Sequence, residues 1–263
     1  MIFQLIQVFD NPSLKFRGNT SVVILLEKPI SGEKMQQIAA DQLQPATTFL
    51  WPAEGENEYN VRWFAPDAEI GLCGHGTAAA GAFLENLHDK KGKFSLHYKD
   101  GSLEVETLPG SAIRMSLPMI PVLHELEVPE AIMSGLNIPI KGFYATDNKY
   151  IILTDNEECV KMMKPDFSKL RESGIFGYAV TAEGDTADFV SRTLVPHVHQ
   201  LEDPATGSSH AALFPFWKNK LGKTKMEAYQ LSIRGGHFSG EVNDNTVLLT
   251  GHYKLLATGK IIG

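Results

Sequence analysis

The stretch Gly71–Leu84, GLCGHGTAAAGAFL, decides how this chain is read. Its second part is a helix. Ala78, Ala79, Ala80, Ala82, Phe83 and Leu84 make it apolar on nearly every face, so it belongs inside a core. Its first part is poor packing material: glycines 74 and 76 around His75 cost backbone entropy and bury little. Such a turn either bends a loop or makes a site, because the first N–H groups of a helix have no partner within it. A second stretch repeats the pattern. A shift of 130 positions sets Arg62 on Arg192, Pro66 on Pro196, Cys73 on Asp203 and Leu87 on Trp217 without a gap. RWFAPDAEIGLCGHGTAAAGAFLENL then lies over RTLVPHVHQLEDPATGSSHAALFPFW. Both read strand, proline, loop, glycine-containing turn and alanine-rich helix.

Ordered repetition of this kind predicts duplication. Two similar domains follow, residues 1–117 and 118–263, split near LPMIPVLHELEVP, whose prolines at 118, 121 and 129 suit a connector. The last strand is left free to return to the first domain. A helix apolar all round needs a curved sheet wrapped about it. The expected fold is therefore α+β: two domains related by a pseudo-twofold, each a barrel-like sheet around a central helix. The flanking sequence agrees. FQLIQVF and TSVVILL read as strands around the turn-rich DNPSLKFRGN. SGEKMQQIAADQL reads as a helix capped by Ser31, with Met35, Ile38 and Leu43 on its apolar face. TTFLWP and YNVRWFAP are strands. GKFSLHYKDGSLEVETLPGSAIRMSL is a run of short strands with a turn at Asp100-Gly101.

The totals exclude several classes of function. In 263 residues, 43% are hydrophobic and 21% charged, enough to bury a core. The net charge of −7 draws the chain to neither nucleic acid nor an anionic membrane. The densest basic run, DKKGK (residues 89–93), reads as a solvated helix end. Two cysteines, Cys73 and Cys159, make neither a disulfide framework nor a zinc pattern. The N-terminus lacks the basic region of a signal peptide. No apolar run reaches the roughly 18 residues of a membrane span. A soluble, cytoplasmic protein is expected.

Each glycine turn is a ready anion site, because the helix start offers unpaired N–H groups and the positive end of a dipole. Gly76 and Thr77 open the first helix, Gly207 and Ser208 the second. If the halves face one another, a small carboxylate can be held from both sides. Cys73 and His75 stand beside the first turn, and Glu202, Asp203 and His210 beside the second. Acid and base on opposite faces of one carbon is what proton transfer requires. The plainer alternative is that such turns are structural, with Asp203 capping a turn that Pro204 begins. His197, His199 and Asp203 have a spacing open to a metal, but no third ligand stands in a clear frame, and the His-x-His reads better as a polar strand edge. There is no G-x-S-x-G elbow, G-x-G-x-x-G or P-loop. RGGH (residues 234–237) reads as a turn between strands. Cys159 falls on a helix face, and Met162 and Met163 read as core.

Three segments carry a family likeness: VFDNPSLKFRGNTSVVIL, VRWFAPDAEIGLCGHGT and EDPATGSSHAAL. Together with IRGGHFSGEV they resemble the PhzF-like family of phenazine-biosynthesis isomerases, relatives of diaminopimelate epimerase in fold. The resemblance spans essentially the whole chain. It implies two barrel-like domains with the active cleft between them, a homodimer, no metal and no cofactor. By motif position it makes His75 and Asp203 catalytic, with Cys73 a further candidate. It makes Asn19, Gly74, Gly76, Gly207 and Ser208 substrate-binding, to which the position of the Thr77 hydroxyl at the first helix start adds Thr77. The chain departs from the family at three places. The family's catalytic glutamate stands in an element like LSETTF; here LQPATTFL puts Ala46 there. Gly76 stands where the family usually has proline, and Leu194 where it favours an aromatic. Because the 130-residue shift sets Cys73 on Asp203, a thiol–carboxylate pair is one open route for proton exchange. A binding protein that kept the cleft and lost its base is the other reading.

Overall fold

The computed structural model describes residues 1–89 and 91–261, so Lys90 of the DKKGK run lies outside it. The chain divides into two compact units, one of Met1–Leu117 with the chain from Leu248 onward, the other of Pro118–Val247.

The first unit contains β1 (Ile2–Asn11), β2 (Phe16–Leu25), α1 (Gly32–Gln42), β3 (Ala46–Pro52), β4 (Glu58–Phe64), β5 (Glu69–Ile70), α2 (Gly74–His88), β6 (Lys93–Tyr98), β7 (Gly101–Leu108) and β8 (Ala112–Pro118). The last strand of the chain, β17 (Thr246–Lys260), joins them. Pairing runs β1–β2 antiparallel, β2–β3 parallel, β3–β4 antiparallel and β4–β6 parallel. It continues β6–β7 and β7–β8 antiparallel. β17 then pairs with both β8 and β1, which closes an eight-stranded ring. β5 adds a short edge to β4. Helix α2 packs against β1, β2, β3 and β7, and every residue from Gly74 to Leu84 is buried. Its all-round apolar sequence demanded that placement. α1 covers the other side of the sheet, where Met35, Ile38 and Ala39 meet Val22, Ile24, Phe49 and Phe64. Leu43 departs from expectation: it takes a left-handed conformation as the C-cap of α1 and is 75% exposed, so it packs on nothing.

The turn between β1 and β2 is tighter than DNPSLKFRGN suggests. Only residues 12–15 leave the strands, with Asn11 Oδ1 accepting from the Leu14 N–H. Phe9 sits at a bulge against β17 with φ +62°. Gly18, at φ +49°, lies so close to the Val8 carbonyl that any side chain would collide with it. This pins the start of β2, and with it Asn19.

The second unit contains β9 (Val122–Glu125), α3 (Glu130–Leu136), β10 (Gly142–Thr146), β11 (Tyr150–Leu153), α4 (Glu157–Met162), α5 (Phe167–Glu172), β12 (Tyr178–Glu183), β13 (Phe189–Val195), β14 (Leu201–Asp203), α6 (Gly207–Leu221), β15 (Lys225–Gln230) and β16 (Gly236–Asn243). β9 lies within the segment expected to be a plain connector, where it pairs with β10. The order and sense of the first unit recur here. β10–β11 is antiparallel, β11–β12 parallel, β12–β13 antiparallel, β13–β15 parallel and β15–β16 antiparallel, with β14 as the short edge on β13. α6 occupies the crossover that α2 occupies in the first unit, and it is buried from Gly207 to Trp217. A second core lies under α3 and α5, built from Ile132, Leu136, Phe143, Ile152, Leu170 and Tyr178. Met163 joins it, whereas Met162 is 59% exposed, contrary to the sequence reading. Among the described residues, no helix is long and apolar enough to cross a membrane.

Candidate active site

The register of the repeat is sharper in the structure than in the sequence. In the first unit, Arg62 on β4 holds Glu69 on β5 through Nε and one terminal nitrogen, both at 2.7 Å. In the second, Arg192 on β13 holds Glu202 on β14 in the same bidentate way, at 2.8 Å. In each case the glutamate is paired in register with the residue two beyond the arginine: Phe64 with Glu69, Leu194 with Glu202. The arginines are 130 positions apart, as the shift has them. The N-caps of the two helices, Cys73 and Thr206, are 133 apart. Three extra residues therefore enter the loop of the second half. Cys73 corresponds to Thr206 rather than to Asp203, and His75 to Ser208. The expected thiol–carboxylate pairing by repeat position is corrected accordingly.

At the start of α2, Cys73 caps the helix from an extended conformation, its Sγ accepting from the Gly76 N–H at 3.4 Å. Sulfur is a weak acceptor compared with the oxygens that usually cap helices. The Thr77 N–H and hydroxyl both donate to the Cys73 carbonyl, at 2.9 and 2.7 Å. The Cys73 sulfur lies 3.6 Å from each nitrogen of the His75 ring. These two proton-carrying groups thus touch inside one turn. Gly76 has no room for a side chain: a Cβ would come within 2.5 Å of Trp63 Cδ1 and 2.8 Å of Thr48 Oγ1. Gly76 is thus the counterpart of a buried tryptophan. The other unit inverts the pairing, with small Thr193 at the tryptophan's position and Ser209 at the glycine's, joined by a 3.0 Å hydrogen bond.

Ala46 opens β3 and is fully buried. Strand alternation puts its methyl group on the face of Thr48, whose hydroxyl lies 3.4 Å from the Gly76 carbonyl, while Phe49 faces α1. Ser21 on β2 donates to the Ala46 carbonyl at 3.1 Å and meets Thr48 at 2.9 Å. Asn19, two residues before Ser21, is buried and accepts from the Thr20 N–H through Oδ1.

At the start of α6 the cap is different. Asp203 ends β14 and does not cap the helix; Thr206 is the N-cap, and its side chain makes no capping bond. The Thr206 hydroxyl instead donates to Asp203 Oδ2 at 2.7 Å, and Gln200 approaches Oδ1 at 3.3 Å. Gln230, fully buried at the end of β15, fixes this turn: its Oε1 accepts from the Thr206 N–H and its Nε2 donates to the Asp203 carbonyl. Gly207 and Ser208 follow as the first two helical residues. Lys149, in the β10–β11 turn and only 8% exposed, donates from Nζ to Ser208 Oγ at 3.0 Å.

Of the three protonatable groups read beside this turn, two are committed elsewhere. Glu202 is bound to Arg192. His210 is fully buried, stacked on Phe238 at 3.7 Å, and donates from Nδ1 to the Thr206 carbonyl. Burial pushes its imidazole down to about 4, against a small opposing effect of that hydrogen bond, so it is neutral at physiological pH. Asp203 is the one of the three whose carboxylate is bound by hydroxyl and amide groups of its own turn, Thr206 and Gln200. His197 and His199 lie in the loop before β14, and among the described residues no three His, Cys, Asp or Glu side chains are grouped to hold a metal. Trp63, Gln230 and Lys149 were not legible as site residues. Gln230 and Lys149 sit in no quoted motif, Trp63 lies in one without a role assigned to it, and each reaches its turn from a distant strand or loop.

The family model of phenazine biosynthesis-like proteins matches residues 8–259. The chain belongs to that family, PhzC/PhzF. An uncharacterized isomerase of Pseudomonas aeruginosa is 33% identical over 99% of this chain and 98% of its own length. Among solved structures, a PhzF-family protein of Enterococcus faecalis superposes with a TM-score of 0.90 at 32% identity, over 99% of this chain and 98% of that one. A PhzC/PhzF protein of Clostridium difficile gives 0.87 at 37%, over 100% and 99%. The α+β fold of barrel-like sheets around buried helices is the fold of this family.

Proposed function

We propose that this PhzF-family chain is a cofactor-independent isomerase or epimerase that moves a proton on a small carboxylate. The substrate carboxylate is taken up by the N–H groups at the starts of α2 and α6. His75 and Asp203 carry the proton, one removing it from carbon and the other returning it, with Cys73 able to relay through its contact with His75. One observation carries the reading: the same buried helix begins with the same glycine turn in both units, and each turn holds a proton-carrying side chain. Helix starts favour anions, and N–H groups aimed at a bound carboxylate stabilise the extra charge that builds on it as the neighbouring C–H loses its proton. The isomerase description of the Pseudomonas relative supports the reaction class. As in the sequence reading, the active form is proposed to be a homodimer, which sedimentation at micromolar concentration tests.

The test is exchange of substrate hydrogen with deuterium oxide, followed by NMR across a panel of small amino, hydroxy and unsaturated carboxylates. Replacing Asp203 by Asn lowers the exchange rate by roughly 100-fold or more. Unchanged exchange in that variant removes Asp203 from the mechanism. Alkylation of Cys73 that ligand prevents and that abolishes exchange implicates the thiol.

The second reading is a binding protein without catalysis, favoured by Ala46, which puts a methyl group at the family's glutamate position on the face of β3 beside α2. Turnover of a diene carboxylate by the Ala46→Glu variant alone, with binding but no exchange in the native chain, identifies this second reading as the correct one.

A further inference from the structure

We infer that the second unit binds a single buried water molecule beneath the first turn of α6, between His210 Nε2 and Ser191 Oγ. This site belongs to the core of the unit and is independent of the reaction proposed above.

Both atoms are enclosed. His210 and Ser191 are 0% exposed, and among the described residues neither His210 Nε2 nor Ser191 Oγ has a hydrogen-bond partner. The other nitrogen of the imidazole is committed. Nδ1 faces the Thr206 carbonyl at 2.8 Å, and a carbonyl only accepts, so Nδ1 carries the proton. Burial keeps the ring neutral at physiological pH, and Nε2 is then a bare lone pair that can only accept. A buried polar atom without a partner loses its hydration and gains nothing in return. Native interiors satisfy such atoms with protein groups or with water.

Strand pairing sets the two groups in one layer. Ser191 on β13 stands opposite Thr181 on β12 and Gln230 on β15. That row faces α6: Thr181 Oγ1 accepts from Trp217 Nε1 at 3.0 Å, and Gln230 Oε1 from the Thr206 N–H at 2.9 Å. Along β13, the neighbours of Ser191 on the same face are Phe189 and Thr193. The Phe189 ring lies 6.0 Å from that of His210, and the Thr193 hydroxyl meets Ser209 at 3.0 Å. Ser191 thus stands between the strand contacts of Ser209 and His210, two consecutive residues of α6.

The first unit has the same frame without this polarity. The shift of 130 that aligns β4 with β13 sets buried Val61 on Ser191. The shift of 133 that aligns the helix N-caps sets Thr77 on His210. Thr77 makes the same bond as His210, from its side chain to the N-cap carbonyl, at 2.7 Å, and has no further polar atom. The second unit replaces an apolar side chain and one satisfied hydroxyl by two unsatisfied polar atoms, and a serine has one heavy atom fewer than a valine. Water supplies what this pair needs: it donates one proton to Nε2 and bonds the serine hydroxyl in either sense. With Nε2 occupied as an acceptor, the ring proton stays on Nδ1 and the Thr206 carbonyl stays bound.

A crystal structure of the native chain, at a resolution that orders internal waters, shows a solvent peak within hydrogen-bond distance of both atoms. In solution, the His210 ring protons give nuclear Overhauser effects to a long-lived water, and the ring ¹⁵N shifts place the proton on Nδ1. A dry site, a direct Ser191–His210 bond or a proton on Nε2 overturns the inference. Ser191→Val installs the first unit's residue: the solvent peak and the Overhauser effect are lost, while the amide spectrum keeps its native dispersion. A water that stays on His210 in that variant overturns Ser191 as its second ligand. Should Ser191→Val not fold, Ser191→Ala gives the same reading, and the native-chain measurement decides without either.

Discussion

At the scale of single residues, a buried imidazole and a missing side chain govern the two turns. His210 is neutral in the folded chain because charging it would strand a cation among Phe189, Phe214 and Phe238. Its pKa is about 4 folded and 6.5 when unfolded. The unfolded chain therefore binds more protons between those values. Stability contributed by the neutral ring is present above pH 6.5 and is lost as pH falls toward 4, by roughly 3 kcal/mol in all. Denaturant unfolding from pH 7.5 to 4 shows this slope, and the His210→Leu variant flattens it. Gly76 gives the second prediction. An alanine within a helix normally gains up to about 1 kcal/mol over glycine, less in the first turn, where Gly76 stands. Here its Cβ strikes the buried indole of Trp63, and overpacking costs typically 1–3 kcal/mol. Gly76→Ala lowers the melting temperature, and the same change costs less in a Trp63→Leu background, where only the Thr48 hydroxyl still crowds the new methyl group.

At the scale of elements, the bidentate arginine–glutamate pair that ties a short edge strand to its neighbour appears once in each unit, with unequal weight. The side chains of Arg62 and Glu69 are 34% and 46% exposed, those of Arg192 and Glu202 only 12% and 19%. Solvent screens the first pair, which is worth at most about 1 kcal/mol. Arg192 also donates to the Val160 and Met163 carbonyls at the end of α4, so losing Glu202 leaves a half-buried guanidinium short of its partner. Glu202→Ala is expected to destabilise by about 3 kcal/mol, several times more than Glu69→Ala, as urea unfolding of the two variants measures. The same contrast explains what could be read in advance. Both helices were legible, because a helix apolar all round can only be central. The three-residue offset between strand register and helix register was not, because an insertion in a loop leaves no periodic mark. That offset decides whether Cys73 answers to Asp203 or to Thr206.

At the scale of the whole molecule, the first ring of strands is closed by β17, which lies at the opposite end of the sequence. The fragment Met1–Leu117 has every strand of that ring except this one. Without it β1 and β8 become open edges, and such edges pair with other chains. The fragment alone is expected to aggregate or to stay unstructured by circular dichroism. Appending residues 248–260 to it through a flexible linker restores a dispersed amide spectrum.

The sequence by itself determined the fold class, the duplication, the two central helices and the turns that begin them. These follow from local composition, and a glycine turn before an alanine-rich helix has the same consequence wherever it stands. Only the tertiary structure decided which side chains stand at those turns: Trp63 against Gly76, Gln230 around Asp203, Lys149 on Ser208, and His210 hidden from bulk solvent. Each of these reaches its partner across a strand pairing or from a separate loop. The contact is produced by closing the sheet around its helix, and no spacing along the chain encodes it.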